Sequence, residues 1–137
     1  MNEVNLMGFD GELTLGFEVL PSPSEPCLIR IEVQAQDYRG AGQLVATAAE
    51  ASEFMWELES ALTALTGTVQ LTSLEGASFV TFTFGNMGRV HVAGRIGTPN
   101  AAETHLHFSF DTDQSYFPTF FARLSELLVQ GTRGSLA

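Results

Sequence analysis

Apolar and polar residues alternate along most of this chain, and a period of two commits those stretches to half-buried β-strands. Leu13, Leu15, Phe17 and Val19 alternate with Thr14, Gly16 and Glu18. Ile29, Ile31 and Val33 alternate with Arg30, Glu32 and Gln34. The second half does the same with Val80, Phe82 and Phe84, then Val90 and Val92, then Leu106, Phe108 and Phe110. A weaker strand is predicted over residues 43–48 and a further strand over residues 68–74. The connections read as turns: Pro21, Pro23 and Pro26 form a loop, Gly40 and Gly42 a turn, Glu75-Gly76 a tight turn, and Gly85-Asn86-Met87-Gly88 a hairpin turn. Short turns join antiparallel neighbours, so the sheet should be mainly antiparallel.

Two segments switch to helical spacing. Phe54, Leu58, Ala61, Leu62 and Leu65 predict a helix over about Ser52 to Thr66. Thr47 with Glu50, or Ser52, caps its entry, and Gly67 stops it. A final helix is predicted over about Ser115 to Val129, with Asp113 or Ser115 as cap and Pro118 in the first turn, where a missing N–H costs little. Residues 1–10 read as a lead-in and residues 131–137 as a loose tail. A chain of 137 residues fits one core. The expectation is therefore a single α+β domain over residues 1–137, an antiparallel sheet of about seven strands with two helices on one face. A shift of 62 overlays Leu44 on Leu106, Phe54 on Tyr116 and Leu58 on Phe120, as two repeated strand-strand-strand-helix units; convergent patterning explains the overlay equally well.

Charge narrows the function. The chain has 16 acidic residues against 6 Arg and no Lys, for a net −10. Residues 1–66 hold 11 acids and 2 Arg, whereas residues 67–137 hold 5 acids and 4 Arg. Such a body repels phosphate backbones, which argues against nucleic acid. It attracts a basic protein partner, or it simply keeps the chain dispersed in water. No apolar run reaches membrane-spanning length and no signal-peptide pattern opens the chain, so a cytoplasmic protein is expected. A single cysteine, Cys27, excludes an internal disulfide.

No catalytic motif stands out, and no cofactor is expected. His91, His105 and His107 should share the outer face of one hairpin, with His91 near Ser109 and Asp111 close by. That is a weak metal or acid–base candidate, set against three polar residues on a solvated strand face. Asp111 to Ser115 looks like the start of a calcium loop, but Tyr116 stands where the glycine belongs and Ala122 where the closing Glu belongs, so a helix cap explains it better. Cys27 lacks a helix N-terminus to activate it and reads as structural. Tyr116, Phe117, Phe120 and Phe121 are core residues or the lining of a pocket. Trp56 lies off the apolar stripe, among Glu50, Glu53, Glu57 and Glu59. It is either the edge of a wide stripe or an interface anchor on an acidic helix.

Three stretches resemble one family. IRIEVQAQDYRGAGQ, LTSLEGASFVTFTFGNMGRVHVAGRI and LHFSFDTDQSYFPTFFARL are similar to WapI-like bacterial immunity proteins and their uncharacterised relatives. The likeness is one of layout: a strand set, a helix, the SLEG turn, a G-R-V-H-V strand, then a strand running through D-Q-S-Y-F-P into the last helix. It spans about residues 10–129. The resemblance implies a non-enzymatic protein that binds and blocks a toxin domain, as a monomer or homodimer. It brings no motif of functional residues. The acidic group Glu50, Glu53, Trp56, Glu57 and Glu59 is the expected contact surface for a basic toxin. The alternative is a ligand-binding, metal-binding or assembly domain using the histidine face.

Overall fold

A computed structural model of the chain describes residues 3–8, 13–20, 27–35, 38–73, 78–97 and 105–133. Four strands come first: β1 (Glu3–Met7), β2 (Thr14–Leu20), β3 (Cys27–Gln34) and β4 (Arg39–Ala46). Helix α1 (Ala48–Ala64) follows, then β5 (Gly67–Thr72), β6 (Phe79–Phe84), β7 (Arg89–Gly97) and β8 (His105–Asp113), and finally α2 (Phe117–Arg133). The strands make two antiparallel sheets, ordered β1-β2-β3-β4 and β5-β6-β7-β8. The α+β class is as expected, but the strand count and the number of sheets differ. Eight strands form two sheets, and each half is four strands and a helix.

The extra strand is β1, in the expected lead-in. Val4 and Leu6 are buried, and Val4 pairs with Phe17 and Leu6 with Leu15 on β2. Two apolar positions are too few to signal a strand, yet enough to fill one when a sheet edge and a helix close over them. Gly40 and Gly42 correct a second expectation. They lie within β4, on its inner face, and not in a turn. A Cβ on Gly42 would stand 2.9 Å from Ile96 Cβ and 3.0 Å from the Gly97 carbonyl oxygen. Glycine there lets the two sheets approach.

Hydrogen bonds join the sheets at both sides. The Val45 N–H donates to Ser73 Oγ at 3.0 Å, and Thr112 Oγ1 donates to the Met7 carbonyl at 2.8 Å. The helices cross between halves. Helix α1, which ends the first half, packs on β5, and its Phe54 ring meets Phe82 of β6 at 6.0 Å. Helix α2, which ends the second half, packs on β1 and β2. Phe117 and Phe120 join Phe17, Phe82 and Phe84 in one run of tilted and edge-on ring contacts. The aromatic run of α2 is therefore core: Phe117 and Phe120 are buried and Phe121 packs against them, while Tyr116 is half exposed.

Helix boundaries also move. Helix α1 starts four residues before the expected Ser52, because Thr47 is the N-cap. The last helix starts after a 3-10 turn, Gln114–Tyr116, capped by Asp113, whose Oδ1 accepts from the Ser115 N–H at 2.8 Å. That bond lowers the Asp113 carboxyl below its ordinary pKa, and it makes Asp113, one of the two expected caps, the cap of this turn. Helix α2 runs to Arg133, through the first residues of the expected tail. The shift of 62 fails, since it sets Phe54 on Tyr116. Phe54 lies within α1, whereas Tyr116 lies in the turn before α2. The proline loop at residues 21–26, the Glu75-Gly76 turn, residues 98–102 and the Cys27 side chain lie outside the described residues.

Candidate functional site

The acidic residues singled out above all sit on α1. Thr47 Oγ1 accepts from the Glu50 N–H at 3.1 Å, and Glu50 Oε1 accepts from the Thr47 N–H at 2.9 Å. This is a capping box, and it occupies the Glu50 carboxylate. The rest of the helix buries Ala51, Phe54, Met55, Leu58 and Ala61. That turns Glu53, Trp56 and Glu59 outward on one stripe, three residues apart. Trp56 is 69% exposed, so it is not the edge of the buried stripe. Glu57 stands beside them, half buried. Helix α1 carries no basic residue. Its outer surface is thus a bare aromatic ring within a strip of carboxylates.

The histidines share the outer face of the second sheet, as expected, but their register differs. His91 lies opposite Asp111, and its Nδ1 is 2.8 Å from Asp111 Oδ1. Ser109 lies opposite Ala93, His107 opposite Arg95 and His105 opposite Gly97. Four strand positions, about 13 Å, separate His107 from Asp111. The Arg95 guanidinium sits 5.5 Å from the Phe79 ring centre, next to His107, and its charge opposes a metal cation there. Among the described residues, no three His, Cys, Asp or Glu side chains gather to hold a metal. His105 is half buried, with Nδ1 shut off from water and without a hydrogen bond.

The first sheet has a separate outer face. Glu32 bridges Arg30 and Arg39, each at 3.0 Å. The Arg30 guanidinium first, and Arg39 with it, holds the Glu32 carboxyl below the ordinary range, against the opposing effect of burial. Arg30, Glu32 and Gln34 therefore do not extend the histidine face; they belong to the other sheet.

One surface feature escaped the sequence reading. Leu65, Met87 and Tyr116 are exposed, by 46%, 97% and 50%. They lie at one end of the second sheet. Leu65 precedes Gly67, which pairs with Phe84. Met87 is the tip of the β6–β7 turn, and Tyr116 follows β8, whose Asp113 pairs with Arg89. The available signal was Met87 itself, an apolar residue between Asn86 and Gly88 in a turn.

Among known proteins, the model of a family described as the immunity protein WapI-like family matches residues 14–130. No curated protein matches the chain. Crystal structures of Trypanosoma bruciei MRP1/MRP2 share the fold at a TM-score of 0.55 and 10% identity, covering 95% of this chain and 84% of that one. A CdiA-CT/CdiI toxin and immunity complex from Enterobacter cloacae gives a TM-score of 0.46 at 14% identity, covering 80% of this chain and 94% of that one. No helix among the described residues is long and apolar enough to cross a membrane.

Proposed function

The chain belongs to the WapI-like immunity protein family, and on that premise we propose that it binds and neutralises the toxic domain of a bacterial toxin in the cytoplasm, without catalysing a reaction. The observation that carries this reading is the family match across residues 14–130. Charge supports a basic partner. A body of net −10 accelerates encounter with a positively charged domain through long-range attraction. The stripe of Glu53, Trp56 and Glu59 on α1, with Glu57 beside it, concentrates that field on one face. The exposed indole offers a cation a ring to sit on and an apolar partner a surface to bury. Glu50 contributes charge only, because its oxygens serve the cap.

The test is a pull-down with the tagged chain from cells that naturally produce it, at low and at high salt. The captured polypeptide is then produced alone, and with the chain, in a naive host. The expected result is one basic polypeptide, bound less well at high salt, that arrests growth alone and is harmless with the chain. Failure to capture a partner at either salt, or a partner that is harmless alone, overturns the reading.

A further inference from the structure

Leu65 and Met87 are the non-glycine residues with positive φ among those described, at +58° and +65°. The left-handed region penalises any side chain with a Cβ, and asparagine or glycine would fit both places better. Leu65 holds the C-terminal cap of α1, where glycine is the usual residue. Met87 sits at the tip of a tight turn. Both positions therefore carry a large apolar side chain against the preference of the backbone and against water. The two residues lie at the same end of the second sheet, and Tyr116 is half exposed there too. The two turns touch: a Cβ on Gly88 would come within 3.1 Å of Gln114, two residues before Tyr116.

The electrostatics of this end are equally specific. Leu65 caps the C-terminus of α1, where a helix presents its partial negative charge, and no basic residue in the last turn offsets it. The carboxylates of Glu57 and Glu59 precede it on the same helix. Arg89, the first residue of β7 at this end, lies opposite Asp113 and helps to lower its carboxyl; exposed apolar side chains beside a negative helix end suit an apolar patch ringed by Arg and Lys.

We propose that the toxin domain is anchored on Leu65, Met87 and Tyr116, with the acidic stripe of α1 drawing its basic side chains alongside. The inference rests on the immunity reading and names the part of the surface that holds the partner. It separates two jobs: α1 sets how fast the complex forms, and the turn end sets how long it lasts.

The experiment places a photo-crosslinking benzoylphenylalanine at position 65, 87 or 116 of the full chain, in the cells that naturally produce it. Position 43, on the outer face of the first sheet, is the control. The expected result is a crosslink from the three positions to one basic polypeptide and none from position 43. That polypeptide is identified by mass spectrometry and arrests growth when produced alone. No crosslink from the three positions, crosslinks to a second copy of the chain, or equal crosslinking from position 43 overturns the proposal. A crosslinked basic polypeptide that is harmless alone leaves the surface standing and overturns the immunity reading. Leu65→Gly and Met87→Asn supply a second readout with that polypeptide. Both relieve the backbone, so the melting temperature of the free chain should hold or rise, while dissociation speeds up tenfold or more, roughly the effect of losing one interface anchor. Unchanged dissociation in both variants overturns the proposal.

Discussion

Phe17 on the second strand and Phe120 on the last helix pack ring to ring, with centroids 5.5 Å apart. They close the first sheet with a helix from the far end of the chain. Phe120 also meets Phe82 and Phe117, so one side chain joins both halves. Phe120→Ala should cost about 3–5 kcal/mol, the usual range for a large aromatic removed from a core. Urea unfolding followed by far-ultraviolet circular dichroism and by tryptophan fluorescence should show both signals shifting together. Separate transitions for the two halves would contradict the interlocked packing.

The glycines of the inner faces should not respond alike to alanine. A Cβ on Gly94 would stand 2.4 Å from the Phe79 carbonyl oxygen and 2.7 Å from the Phe108 ring, and a backbone carbonyl within a sheet has nowhere to go. Gly94→Ala should cost at least about 1–3 kcal/mol, as overpacking does. A Cβ on Gly40 meets first the terminal Cδ2 of Leu106, which a change of rotamer can move. Gly40→Ala should be the milder of the two by thermal melting.

The capping box at the start of α1 satisfies two backbone donors at once, one through Thr47 and one through Glu50. Thr47→Ala should destabilise the protein by about 1 kcal/mol. Glu50→Gln keeps an acceptor in place and should cost less. Equal losses in chemical denaturation would show that the Glu50 charge matters at that end of the helix as much as the Thr47 hydrogen bond does.

Glu32 gives the fold a dependence on acid. Its carboxyl is held below the ordinary range in the folded chain by Arg30 and Arg39. A depressed folded-state value means the unfolded chain takes up the proton first as pH falls. The stabilisation is therefore complete above the ordinary carboxylate range and is lost as pH drops through the lower folded value. All three side chains are partly exposed, so the effect is on the order of 1 kcal/mol at most. Glu32→Gln should lower stability at neutral pH and approach the parent at acid pH.

Reversing charge on the outer stripe of α1 should leave the fold alone. Glu53→Arg with Glu59→Arg should change stability by no more than about 0.5 kcal/mol per site, because both positions are exposed. Association with the proposed basic toxin partner should slow on the order of tenfold at low salt and converge on the parent at high salt. Stopped-flow measurement of the on-rate across a salt series checks both.

Much of this architecture is legible in the alternation itself. Leu15, Phe17 and Val19, then Ile29, Ile31 and Val33, face the core as their spacing requires. The Thr-x-x-Glu pattern of Thr47 and Glu50 marks the start of α1, and the helical angle of Trp56 relative to Phe54 and Leu58 sets it off the buried stripe, without deciding between the edge of that stripe and open water. What the pattern lacks is information held elsewhere. The register of His91 against Asp111 depends on the β7–β8 connection, whose path has no periodic signal, and an error of two residues replaces an acidic partner with a serine. The break into two sheets falls at helix α1, between β4 and β5, and the alternation within each strand reads the same whether the helix returns to the first sheet or opens a second. Gly40 and Gly42 read as a turn because their real cause is the side chain of a strand distant in sequence. The cluster of Leu65, Met87 and Tyr116 depends on two left-handed backbone angles that no hydrophobic pattern encodes.

The crossing of the helices sets a schedule for synthesis. Strands β1 and β2 leave the ribosome with an apolar face whose cover, α2, begins only at Phe117. The 96 residues between Leu20 and Phe117 take about 5–20 s to make at common translation rates. For that interval the nascent sheet has no native lid. A message cut short before α2 leaves the apolar face of β1 and β2 without the helix that packs on it, and so yields a sticky fragment and not half a protein.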